Sequence, residues 1–176
     1  MRKLAFVAGL IFLAACSKEK KITPDTFLVT TLRVYTEDFS DTTARDTFEF
    51  IDYDAIGANP AYKTDTIRLA ANHHYKVMIQ PCNDVQLPHI DYSPVITEAA
   101  RNYFMVGIPQ PFNLMTTKIL DKDSDNLPLG LHQEWTTGAA SSGSYSLKLR
   151  YQPGIKNGTE TPGISDAETV FPLIIF

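Results

Sequence analysis

Much of the chain beyond residue 26 follows a two-residue rhythm. Across residues 74–80, Tyr75, Val77 and Ile79 alternate with His74, Lys76, Met78 and Gln80. Across residues 144–151, Tyr145, Leu147, Leu149 and Tyr151 alternate with Ser144, Ser146, Lys148 and Arg150. A strand turns successive side chains to opposite faces, so this period predicts half-buried strands. Residues 27–35 (FLVTTLRVY) are rich in β-branched and aromatic types, which suit a pleated surface. Phe48 and Phe50 share a face within residues 47–51, as do Ile67 and Leu69 within residues 64–69. Residues 102–108, 112–120, 129–136 and 169–176 complete a set of about nine expected strands.

Short strands parted by turn residues predict an all-β fold, an antiparallel β-sandwich of the immunoglobulin-like kind. One short helix is expected, with Ser93 as its cap, Pro94 at its first position and two turns over residues 95–101. Residues 138–144 (GAASSGS) read as a hairpin tip. Residues 152–168, rich in Gly, Pro, Thr and acids, read as a long mobile loop before the last strand. Helical segments long enough for parallel crossovers are missing.

The first residues follow a different pattern. Arg2 and Lys3 precede an apolar run over residues 4–13, the length of a signal-peptide core and too short to span a bilayer. Leu13-Ala14-Ala15-Cys16 follows, which resembles the lipobox of bacterial lipoproteins, where the cysteine receives a diacylglycerol before cleavage. The expected organisation is a lipoprotein signal peptide over 1–15, a lipidated tether over 16–26 and a β-sandwich domain over 27–176. Covalent lipid on Cys16 would fix the protein to a membrane, because more than one acyl chain gives stable anchoring. With Cys16 acylated, Cys82 is the one thiol left, and a buried, inert role is expected for it. Lys18-Glu19 loosely matches the charged signal for surface display in Bacteroidota. The expected location is the outer membrane, facing the periplasm or the surface.

A net charge of −4 without a Lys/Arg-rich stretch argues against nucleic acid as a partner. The sharpest candidate site is Asp121-Lys-Asp-Ser-Asp-Asn126. Asp121, Asp123, Asp125 and Asn126 are candidate calcium ligands, since alternate carboxylates converge on a hard cation when a loop curls. The run is not an EF-hand: Asn126 and His132 stand where that loop needs glycine and glutamate. The alternative is an acidic, solvated turn. Asp52 and Asp54 form a weaker pair, read as a turn. His73, His74, His89 and His132 lack metal-ligand spacing, and adjacent His73 and His74 point to opposite faces of a strand. No nucleophile elbow, phosphate loop or dinucleotide fingerprint is present, so a non-enzymatic protein is expected. Trp135 is expected in the core rather than on a binding face.

Four stretches carry a resemblance to a family of small Bacteroidota lipoproteins, some labelled "type 1 periplasmic binding fold superfamily protein". They are residues 30–33 (TTLR), 48–54 (FEFIDYD), 121–135 (DKDSDNLPLGLHQEW) and 136–151 followed by Gln152-Pro-Gly. The end, Glu168-Thr-Val-Phe-Pro-Leu-Ile174, resembles the family's closing F-P-V-x-I. The family's D-x-D-G glycine is missing at Ala55 and Ile56. The label implies an α/β fold, against the strand pattern. What the resemblance implies about role is an accessory to an outer-membrane TonB-dependent receptor. The resulting expectation is a binding module that helps such a receptor capture a nutrient, with calcium as a candidate structural ion. A structural or adhesive surface protein, and a metal carrier using His73 or His74 with His89 or His132, are the alternatives.

Overall fold

A computed structural model describes residues 27–55 and 59–176. The signal peptide, Cys16 and the tether lie outside the described residues. The elements are β1 Thr31–Asp38, β2 Arg45–Ile51, β3 Lys63–Thr64, β4 Ile67–Leu69, β5 His74–Asn83, β6 Ile90–Asp91, α1 Ser93–Glu98, a 3₁₀ turn Ala100–Asn102, β7 Tyr103–Gln110, β8 Met115–Ile119, β9 His132–Thr137, β10 Ser141–Tyr151 and β11 Ile164–Ile175. They build two sheets. A seven-stranded sheet runs β3-β2-β1-β5-β9-β8, with β6 also on β5, and a four-stranded sheet runs β4-β11-β10-β7. All pairings are antiparallel except β4 with β11. The fold is the all-β sandwich that the alternation predicts.

The inward sides of the alternating strands meet in one core. Leu32, Val34, Val77 and Ile79 of the large sheet join Leu147, Leu149 and Phe171 of the small one. Trp135 is wholly buried, and its ring lies 4.7 Å from that of Tyr145 across the two sheets. Gln133 serves both rings. Its Oε1 accepts from Trp135 Nε1 at 2.8 Å and from the Tyr145 hydroxyl at 3.2 Å, and its Nε2 donates to the Gly130 carbonyl at 2.8 Å. A buried amide so fully used fixes the geometry around it. Gly107 on β7 makes room for this group: a Cβ there would sit 1.7 Å from the Tyr145 hydroxyl oxygen.

The structure departs from the expected elements in several places. Residues 138–140 are not a hairpin tip. They carry the chain from β9 in the large sheet to β10 in the small one. The Gly138 amide donates to Leu114 O at 2.9 Å, and Gly138 O accepts from the Asn72 amide at 2.9 Å. The helix is shorter than expected, and Asp91 Oδ1 rather than the Ser93 hydroxyl takes an amide at its start, that of Ser93, at 2.8 Å. β11 begins at Ile164, so residues 152–163 alone form the loop before it, and that loop is fastened. Gln152 Nε2 donates to the carbonyls of Thr159 and Pro162, Arg150 donates to Pro162 and Gly163, and Lys156 donates to Ala100 O. Edge strand β7 is guarded by Leu129, whose carbonyl takes the Met105 amide at 2.7 Å, and by Pro109, which has no amide to offer.

Candidate functional site

The acidic run predicted as a cation site forms a loop over residues 121–131, and the structure shows what each carboxylate meets. Asp121 is spent on backbone: Oδ1 accepts the Gly130 amide at 2.8 Å, and Oδ2 accepts those of Leu131 at 3.0 Å and His132 at 3.1 Å. Asp123 Oδ1 accepts the amides of Asp125 at 2.8 Å and Leu127 at 3.0 Å. Its Oδ2 meets Lys156 Nζ at 2.8 Å. Asp125 pairs with Arg101 Nη2 at 2.8 Å. Asn126 takes a left-handed φ of 62°, and its amide closes the turn onto Asp123 O. The run is local in sequence, but its side chains fan out to different partners, and the positive charge beside them comes from Lys156 and Arg101. Among the described residues, no group of three or more His, Cys, Asp and Glu gathers as for a metal ion.

Burial by itself raises the Asp123 carboxyl. The Lys156 hydrogen bond and the amides of Leu127 and Asp125 outweigh it and hold the group below the ordinary carboxylate value. Above the pair opens a cleft of about 410 Å³ between α1, the 3₁₀ turn, the acidic loop and the loop of residues 152–163. Glu98, Arg101, Asn102, Asp125, Gly154 and Lys156 line it. Its wall therefore presents both charges, and its floor is an ion pair already neutral. Lys156 is the residue that sequence reasoning missed. A lysine in a polar loop carries no local sign of a carboxylate 33 positions earlier.

A second cleft of about 390 Å³ lies along the seam between the sheets, beside the start of β11. Phe27, Val29, Asp54 and Asp166 are on its wall. The register of β10 against β11 shifts between Leu149 and Arg150, so Asp166 is the extra residue of a bulge. Burial pushes its carboxyl up to about 6. Asp52, the weaker candidate, is raised by burial and by neighbouring Asp54, and its Oδ1 accepts the Asp54 amide at 3.3 Å, the geometry of a turn.

The histidines are kept apart. His73 Nδ1 donates to Asp38 Oδ2 at 2.5 Å, His74 Nδ1 bonds the Thr136 hydroxyl at 2.9 Å, and His89 Nδ1 lies 3.4 Å from Asp84. His132 stands opposite Met78, four positions along β5 from His74, about 13 Å at strand spacing. Asp38 also accepts from Ser40 Oγ at 2.6 Å. The carboxylate thus sits between hydroxyl and imidazole, whereas activating a serine requires the imidazole in the middle. Cys82 is buried with Arg33 Nη1 3.4 Å from its sulfur, and burial pushes its thiol up to about 11, which keeps it protonated and unreactive at neutral pH.

No helix among the described residues is long and apolar enough to cross a membrane. No family model, curated protein or solved structure matches the chain.

Proposed function

We propose that the protein is an outer-membrane lipoprotein, fixed by lipid on Cys16, whose sandwich serves as a non-enzymatic accessory module for a TonB-dependent nutrient receptor. The observation that carries this reading is the Leu13-Ala14-Ala15-Cys16 motif behind its apolar run. The fold supports it, since Phe27, eleven residues beyond that cysteine, is already stacked at 4.5 Å on Tyr92 and at 5.6 Å on Tyr103. At Ser40–Asp38–His73 the hydroxyl donates to the carboxylate and not to the imidazole, so these three residues do not form a serine triad. Loops at the ends of a rigid sandwich are the usual carriers of recognition.

The test is purification from native membranes in mild detergent. An N-terminal peptide that begins at an acylated Cys16, with a TonB-dependent receptor in the same complex, is the expected result. An acylated protein that leaves the membrane only as free monomer at every salt and detergent condition overturns the receptor part.

A further inference from the structure

The two ends of the sandwich differ in what they expose. At one end β1 begins, with Thr31 opposite Ile51 of β2 and Cys82 of β5. The small sheet presents Tyr103, Tyr151 and Ile164 in register at the same end, tied to it by Phe27 on Tyr103. Just beyond these strand ends stand Leu28, Tyr53, Tyr62, Val85, Leu87 and Ile164, all exposed. Leu87, at 85 % exposure, is the most exposed large apolar side chain among the described residues. The opposite end exposes three phenylalanines, Phe39, Phe112 and Phe176, with neither a tyrosine nor a long aliphatic tip among the exposed large apolar side chains described there.

The loop that carries Val85 and Leu87 is built to hold them out. Asn83 is buried, and its Oδ1 accepts the amides of Val85 at 3.0 Å and Gln86 at 3.1 Å. Thr30 ties the loop to the first described residues: its hydroxyl accepts the Asp84 amide at 3.0 Å, while its own amide donates to Cys82 O at 2.9 Å. Thr30 O also accepts the Asp52 amide at 2.8 Å, which fixes the turn that bears Tyr53. The Tyr53 and Tyr62 rings lie 4.9 Å apart. Aliphatic tips flanked by tyrosines are the side-chain set that settles at a membrane–water interface.

Resting on the lipid-anchor reading above, we propose that this end of the sandwich docks on the bilayer surface, with Val85 and Leu87 inserted among the lipids. The covalent geometry makes the choice of occupant. Eleven residues reach at most about 40 Å from Cys16 to Phe27, so a lipid on Cys16 keeps the end where Phe27 emerges within that distance of the membrane and makes the bilayer its nearest large surface. The cations there are paired: Arg33 with Asp84 and Glu49, and Lys63 with Glu49 and Asp65. Among the described residues no cationic stripe is left for acidic lipid, so this part of the surface suits a zwitterionic headgroup layer.

The experiment compares L87W with F112W in the full acylated protein, reconstituted in phosphatidylethanolamine–phosphatidylcholine vesicles with brominated acyl chains. The native chain has a single tryptophan, Trp135, sealed in the core, so it supplies a constant background. The expected result is loss of the added emission at position 87 and none at position 112. Equal loss at both positions in protein shown by mass spectrometry to be acylated overturns the docking and leaves the anchor standing. Loss at neither position, as a protein partner seated on this end would give, does the same. An unacylated Cys16 overturns the anchor and the docking with it.

Discussion

Lys156 Nζ and Asp123 Oδ2 meet at 2.8 Å with their side chains 2 % and 1 % exposed, joining two loops that are 33 positions apart in the chain. Removing one charge from such a pair strands the other in a medium that solvates it poorly. Lys156→Met is therefore expected to lower unfolding free energy by about 3–5 kcal/mol, the usual loss for breaking a buried pair. Adding Asp123→Asn to it removes the stranded charge while keeping the Oδ1 acceptor for the amides of Asp125 and Leu127, and should recover part of that loss. Urea unfolding of both variants measures the difference; equal stability of the single and double variants would show that the pair is not coupled.

The same geometry bears on calcium. Lys156 and Arg101 supply the positive charge beside Asp123 and Asp125, and Asp121 is spent on three amides. An ion that bound only the folded state would raise the melting temperature with its concentration. The expected melting curves in EDTA and in millimolar calcium superimpose. A calcium-dependent rise would mean that the ion displaces Lys156.

Gln133 is expected to be costly to replace. Gln133→Leu removes the acceptor for Trp135 Nε1 and for the Tyr145 hydroxyl, both without access to water. Each stranded donor costs about 1–3 kcal/mol. Thermal unfolding should show the loss, and Trp135 emission should shift as its N–H loses its partner.

Two aspartates give stability opposite dependences on pH. The Ser40 hydroxyl and His73 hold the Asp38 carboxyl down at about 2 against an ordinary 3.8. Its stabilisation is complete above about pH 4–5 and is lost as pH falls toward 2, so Asp38→Asn should flatten that acid limb. Asp166 is raised by burial to about 6, so the folded state holds its proton more tightly than the unfolded one. Stability from this group therefore falls as pH rises from about 4 to 6. Asp166→Asn should raise the melting temperature at pH 7 and leave it unchanged at pH 3.

Cys82, with its thiol pushed up to about 11 by burial, should resist a disulfide reagent at pH 8 in the folded protein and react at once in urea. Rapid native labelling would show that this part of the large sheet opens readily.

The strands with one solvated face were legible in the sequence. β5 and β10 alternate over enough residues that no helical period competes. Trp135 proved to be core, and the strand count pointed to a sandwich. β3 and β6, two residues each, are too short to carry any period. The change of sheet at residues 138–140 was not legible either. A small-residue turn between two strands looks the same whether the strands pair or part, and the outcome depends on which distant neighbours are in place. The acidic run was visible as chemistry, but its partners Lys156 and Arg101 come from elsewhere in the fold, where spacing says nothing.

β4 closes the small sheet in parallel against the end of β11, with Leu69 opposite Ile175. A segment made early in synthesis thus waits for residues 173–175, more than a hundred positions later, before its edge can form. Final assembly joins distant stretches of chain and is slow in the manner of such topologies, and loss of residues 173–175 should leave an open, adhesive sheet rather than a slightly smaller domain.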